Sequence, residues 1–301
     1  MHTSSFSISV PAQTAGKTVE EALRSEWKFG KKQIHAWRMN KAIDLNGTLT
    51  EWRTVLSPGD LLTIRLEEEE KPSYLPDPID LSILYEDEHL LIANKPPHID
   101  THPNQPDASG TLANGVVHYL RQKGKTGYAQ PIHRLDRDTT GTIIFAKHAA
   151  VKPLLDHALE QRSIKRTYWA HVHGDVSHSN GTIDQPIGND RHHNSRKRIS
   201  PTGQKAITHF RKIQFNQNQQ TSWLELQLDT GRTHQIRVHL SSIGHPLAGD
   251  TLYGGKKTIH FPFQALHAVK ISFTHPFTAQ NIVIETPDPV KPGRFYKQTR
   301  K

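Results

Sequence analysis

Apolar positions along the chain change period several times, and each change marks an element. In residues 17–40, Leu23 and Trp27 share one helical face and Ile34 and Trp37 another. Gly30 stands between them, which predicts two short helices. Asn46-Gly47 between apolar residues predicts a hairpin, because both positions tolerate the left-handed backbone of a tight turn. Ser57 to Asp60 reads as a further turn, and Leu62, Ile64 and Leu66 alternate as a strand. "ILYEDEHLLIANKP" places two apolar runs around a polar turn, a second hairpin. Residues 111–123 predict a helix and Thr142 to Lys147 a strand. Val151, Leu154, Leu155, Ala158 and Leu159 keep helical spacing. Arg166 to Gly174 and Ser222 to Gly231 read as strands, and residues 189–210 as a long polar loop. Helices and strands mix without a regular βαβ repeat. The expected class is α+β with a mainly antiparallel mixed sheet, preceded by a small α/β domain.

Charge divides the chain in the same places. Counting Lys and Arg against Asp and Glu, residues 1–66 hold 9 against 6, residues 67–100 hold 2 against 10, and residues 101–301 hold 27 against 13. Glu67 to Glu70, followed by the proline-rich "KPSYLPDP", reads as a linker. The expected domains are therefore 1–66, with 67–80 as an acidic joint, and 81–301. A net charge of +9 favours a polyanionic partner, nucleic acid first. No run approaches 18 apolar residues and no signal-peptide layout opens the chain, so a cytoplasmic protein is expected. With no Cys, a disulfide framework, a cysteine nucleophile and a thiolate metal site are excluded. The 21 His lack a helical i,i+4 pair with a nearby acid, so structural or solvated histidine is the expectation and no metal is assigned.

Three stretches carry candidate chemistry. In "PIHRLDRDTTGTIIFAK", Asp136 lies between Arg134 and Arg137, just ahead of an apolar strand. A carboxylate met by guanidinium groups stays ionised, which suits a nucleophile or a base; a structural ion pair is the competing reading. "TGRTHQIRVHL" sets Arg232 and Arg237 after a glycine turn, placed to bind phosphate or clamp a carboxylate. In "KRTYWAHVHG", Tyr168 sits on a strand beside Lys165 and Arg166, as a core aromatic or a working one. Arg196, Lys197, Arg198 and Lys205 line the long polar loop, and Lys31 and Lys32 the second helix. Both groups could follow an RNA backbone.

Together these stretches resemble the RluA-type family of pseudouridine synthases over roughly residues 80–290. "HRLDRDTTG" is similar to the family's signature and "ILYEDEHLLIANKPP" to its first motif. "TGRTHQIRVHLSSIGHPLAGDTLYG" resembles the third motif and "LHAVKISFTHP" the last. Residues 17–66 resemble an S4-type RNA-binding domain. The resemblance implies an RNA pseudouridine synthase that flips a uridine from its stack and rejoins the base to ribose through carbon. That reaction needs no redox change and no added atom, so no cofactor is expected. The resemblance also implies Asp136 as the catalytic carboxylate, nucleophile or base, and Tyr168 as the residue that stacks on the base and helps remove a proton from carbon 5. It makes Arg232 the partner of Asp136 and Arg134 the wedge that fills the vacated stack. Arg137 and Arg237 are expected at the RNA. Two positions depart from the pattern: Thr140 replaces a Ser, and His98 in "KPPHID" replaces a Gly. Large-subunit ribosomal RNA is the expected substrate, transfer RNA the other choice, and a monomer the expected state. The alternatives are a non-catalytic RNA-binding ribosome assembly factor and a glycoside hydrolase. The latter would need a second acid opposite Asp136, and Asp138 is too close in sequence to serve.

Overall fold

A computed structural model describes residues 5–66, 72–105 and 107–287. Residues 67–71 of the expected joint lie outside them. The N-terminal unit opens with β1 (Ser5–Ser9). Then come α1 (Val19–Glu21), running on into a wider π turn at Ala22–Glu26, and α2 (Lys31–Met39). Thr18 starts α1 with a capping box: its hydroxyl accepts from Glu21 N, and the Glu21 carboxylate accepts from Thr18 N. Gly30 caps α2, so the two predicted helices break where expected. β2 (Ile43–Leu45), β3 (Thr48–Leu49) and β4 (Leu61–Arg65) follow. They complete a four-stranded sheet in the order β1-β4-β2-β3. Asn46 and Gly47 turn the β2–β3 hairpin with φ of 50° and 80°.

The larger unit is built on one sheet. Its first strands are β5 (Ser82–Glu86) and β6 (Leu90–Lys95), then β7 (Gln130–Pro131) and β8 (Thr140–Ala146). β9 (Lys165–His173), β10 (Asn180–Asp184), β13 (Ile207–Asn216) and β14 (Thr221–Leu228) extend it. β15 (Leu266–Thr274) and β16 (Asn281–Glu285) close it. The order is β10-β13-β14-β9-β15-β8-β6-β5, with β16 on β15 and β7 on β8. All pairings are antiparallel except β15 with β8, where Ala268 faces Gly141. Gly141 has φ +111°, and a Cβ there would lie 2.1 Å from Ala268 O, so the parallel join requires glycine. The long polar loop differs from expectation. It holds β12 (Lys197–Ile199), which pairs with β11 (Ile187–Asn189) at its start as a short antiparallel ribbon, and its last residues, 207–210, already belong to β13. The few residues of the ribbon are too polar to show an alternating pattern.

Both faces of the sheet are covered. α3 (Leu112–Gln122) and α5 (Gln235–Ser242) share a core with Leu91, Ala93, Ile143, Phe145, Tyr168 and Ala170. The alternate residues Leu90, Ile92, Ile144 and Ala146 pack with α4 (Lys152–Glu160) and with the core of the N-terminal unit. The two units are thus fused by packing. Phe6 of β1 stacks on His148 at 4.3 Å and lies 5.7 Å from Phe277. Residues 73–79, expected as linker, are tied to the larger unit. Asp77 N donates to Asn114 O at 3.2 Å, and Asn114 Nδ2 donates to Leu75 O at 2.7 Å.

Candidate active site

The turn that carries Asp136 is held from below. Thr101 Oγ1 accepts from Leu135 N at 3.1 Å and donates to Leu135 O at 2.9 Å. Lys95, fully buried, donates to Pro96 O, Ile99 O and Arg137 O at 2.7–2.9 Å. Burial lowers the Lys95 pKa to about 8, against the raising effect of Asp138, Asp100 and Asp136. Thr139 N donates to Asp136 O at 3.0 Å and closes the turn. Leu135 is anchored in the core, and its neighbour Asp136 faces a cleft of ≈ 560 Å³ between this turn, β9 and the start of α5.

Across the cleft stands Arg237, on the inner side of α5. Its Nη1 donates to Asp136 Oδ2 at 3.1 Å, while Nε and Nη2 make a two-bond fork to Asp250 at 2.7 and 2.9 Å. Arg237 and Asp250 are 7% and 3% exposed, so each depends on the other for its charge. Burial opposes the Arg237 cation, but Asp250 and Asp136 outweigh it and its pKa is raised. Gln235 fixes the turn before α5: its Oε1 accepts from Thr230 and Arg232 N, and its Nε2 donates to Ile207 O and Thr208. Tyr168, 3% exposed, lines the same cleft from β9. Burial raises its pKa, with Arg166 acting in the opposite direction, so the phenol keeps its proton near neutrality. Burial also lowers His133, beside the turn, to about 3, so that imidazole is neutral.

The expected site residues fall into three groups. Asp136 and Tyr168 meet in the cleft. Arg232 does not hold Asp136: it is exposed, and its Nε donates to Lys205 O at 3.1 Å. Arg237 takes the place beside Asp136; three of its five N–H donors go to the two carboxylates and it is buried, so it is not presented at the rim for phosphate. The physical reason is the helix start. Arg232 lies in the turn before α5, whereas Arg237 lies within it on the buried side. Arg134 is exposed at the cleft with no side-chain partner among the described residues, and Arg137 pairs with Asp100 at 3.0 Å. Arg196 and Arg198 are exposed on the β11–β12 ribbon, Lys197 is half-buried there, and Lys205 is exposed at the cleft. Lys31 and Lys32 are exposed at the start of α2. His98 has φ 64°, which accounts for the glycine that the resemblance puts there. Its Nδ1 lies 2.9 Å from Asp138 Oδ1. Thr140 keeps a hydroxyl role, bonded to His267 Nδ1 at 2.7 Å.

Sequence reasoning missed Asp250, His234, Tyr253 and Lys95. "GDTLYG" and "NKPP" were visible as motif text, but nothing in linear order ties Asp250 or Lys95 to Asp136. No group of His, Asp and Glu among the described residues is arranged to hold a metal ion, and no helix among them is long and apolar enough to cross a membrane.

A paired carboxylate over a buried tyrosine, in a cleft rimmed by Arg134, Arg162, Arg166, Lys205 and Arg232, defines an enzyme site for a polyanionic substrate. Comparison with known proteins gives the family. Residues 89–242 match RNA pseudouridylate synthase, and residues 6–62 match the RluD ribosomal pseudouridine synthase N-terminal domain. The chain is 44% identical over 274 residues to the uncharacterized RNA pseudouridine synthase YhcT of Bacillus subtilis, covering 91% of this chain and 90% of the relative. It is 33% identical over 290 residues to the ribosomal large subunit pseudouridine synthase D of Vibrio parahaemolyticus, covering 91% and 88%. Among solved structures, human RNA pseudouridylate synthase domain containing 1 superposes with a TM-score of 0.57 at 25% identity, over 71% of this chain and 85% of that one. The chain belongs to the RNA pseudouridine synthase family, enzymes that isomerise uridine within RNA.

Proposed function

We propose that the protein converts particular uridines of large-subunit ribosomal RNA to pseudouridine, with Asp136 acting at the ribose. The observation that carries the mechanism is the Asp136–Arg237–Asp250 chain at the floor of the cleft that also holds Tyr168. In the reaction the bond from N1 to C1′ breaks and a bond from C5 to C1′ forms. C5 loses its proton and N1 gains one, so atoms and electrons balance without a cofactor. Asp136 supplies the carboxylate, as nucleophile at C1′ or as base on the ribose. Tyr168 offers its ring to the flipped base, and its protonated hydroxyl can relay the departing C5 proton by releasing its own proton to solvent as it accepts that one. Flipping costs a few kcal/mol, which stacking and phosphate contacts offset. The unpaired Arg134 suits the wedge role, and Arg232 and Lys205 suit phosphate contacts at the rim. Arg196, Lys197, Arg198, Lys31 and Lys32 extend that basic track.

In this reading residues 1–66 bind RNA and residues 81–301 do the chemistry, in a cytoplasmic monomer. Ribosomal RNA is favoured over transfer RNA by relatives named for the large ribosomal subunit. Pseudouridine mapping by chemical labelling, in cells with and without the gene, tests the substrate. A site lost from transfer RNA instead of ribosomal RNA overturns it. Asp136→Asn tests the carboxylate: the variant should fold, bind RNA and make no pseudouridine, and wild-type turnover in it would remove Asp136 from the role.

A further inference from the structure

The two oxygens of Asp136 are not equivalent. Oδ2 is bonded to Arg237 and is also faced by His234 Nε2 at 3.9 Å, whereas Oδ1 has no partner among the described residues. His234 holds φ 58°, ψ 20° immediately before α5, a left-handed backbone that a non-glycine residue adopts at a cost. Its other ring nitrogen, Nδ1, lies 2.8 Å from the Tyr253 hydroxyl, and that oxygen already accepts from Lys197 N at 2.9 Å. Among the described residues the phenol proton has one acceptor within reach, His234 Nδ1. An imidazole protonated at Nδ1 would leave that proton with nowhere to go. Nδ1 therefore accepts, and Nε2 carries the hydrogen, pointing at Asp136. The Tyr253 ring is itself held against the Arg237 guanidinium at 4.9 Å.

We propose that Tyr253 and His234 are a positioning pair for Asp136: Tyr253 fixes the imidazole as its Nε2–H tautomer, and that N–H, with Arg237, holds Oδ2 so that Oδ1 is the oxygen presented to the ribose. At 3.9 Å the contact is longer than a hydrogen bond, as contacts in a substrate-free site commonly are, and it tightens when RNA closes the cleft. The same phenol pins the backbone of β12, so the basic ribbon and the carboxylate are aligned by one side chain.

The inference rests on Asp136 as the acting carboxylate, and its test separates the two. Single-turnover tritium release is measured with 5-tritiated total RNA from cells lacking the gene, so the identity of the target does not matter. His234→Phe should lower the rate by about 10-fold or more with RNA affinity little changed, the size typical of partners that orient a working group. His234→Gln bears the same backbone strain but carries an amide N–H, and should recover much of that loss. Tyr253→Phe should also slow the reaction, and the double variant Tyr253→Phe/His234→Phe should be little slower than His234→Phe alone. Without any RNA, nitrogen-detected NMR of the 15N-histidine protein should show the His234 signal, assigned by its absence in His234→Phe, as the Nε2–H tautomer, and as a mixture in Tyr253→Phe. Equal losses in the Phe and Gln variants, or an Nδ1–H tautomer in the wild type, overturn the proposal. Asp136→Asn, run alongside, reports on the carboxylate reading by itself.

Discussion

Arg237 and Arg232 are five residues apart and have opposite fates. Arg237→Met leaves Asp250 buried without a counter-charge and frees Asp136, a change of the kind that costs about 3–5 kcal/mol. A thermal melt should show that loss, and turnover should vanish with it. Arg232→Met removes an exposed side chain bonded to one carbonyl. Stability should move by no more than about 0.5 kcal/mol, while RNA binding weakens. A binding isotherm and a melt on each variant distinguish the two roles. Tyr168→Phe tests the remaining cleft residue. The ring and its packing survive, so RNA affinity should change by less than about 1 kcal/mol, the worth of one ordinary hydrogen bond, while turnover falls. Unchanged turnover would return Tyr168 to a core role.

At the level of elements, two joins carry the architecture. The parallel contact of β15 with β8 depends on Gly141. Gly141→Ala forces a Cβ into the Ala268 carbonyl on an unfavourable backbone, and should destabilise by about 3 kcal/mol or more in a denaturant melt. The second join is between units. Phe6 lies against His148 and Phe277, and Phe29 lies 6.0 Å from Phe277. A chain starting near Ser73 exposes Phe277 and the buried His89–His148 pair. It should melt at lower temperature than the whole protein while keeping the Asp136 cleft intact, since no residue of that cleft comes from residues 1–66. Residual activity on a short RNA, slower or less selective, is the expected readout.

Over the whole molecule, five buried histidines set the acid limit. Burial holds His89, His171 and His267 at about 4 and His133 and His148 at about 3, below the ordinary value near 6.5. Between these values the unfolded chain binds protons that the folded chain refuses. Stability is therefore full above about pH 6.5 and falls as pH drops toward 4, each of these histidines adding to the loss. Melts across pH 4–7 should trace this slope, and a flat profile would contradict it. The basic excess acts on association. Several phosphate contacts predict that RNA affinity falls with salt with a log–log slope of about −0.7 per contact for single strands. Arg232→Met should make that slope shallower by about one contact.

What the linear order determined is what period and local turn chemistry can encode. Helix breaks at Gly30, the Asn46-Gly47 hairpin, the alternation of β4 and the helical stripe of α4 all depend on neighbours within a few residues, and they stand where the pattern put them. Residue types also sufficed for a basic, cysteine-free chain with an RNA-facing character, and the motif text pointed to Asp136 and Tyr168, which the fold brings to one cleft. Partnership across the cleft was a different matter. Asp136 and Arg237 are 101 positions apart, and their meeting depends on the parallel β15–β8 join and on which side of α5 faces inward. Either arginine of "GRTHQIR" fits a carboxylate by type, and only the buried register of α5 chose between them. The fused core of the two units was equally hidden, because an acidic, proline-rich stretch looks like a free joint whether or not the surfaces on either side are complementary. Tertiary packing decided those contacts, since burial and charge pairing belong to surfaces assembled from distant segments and leave no period in any one of them.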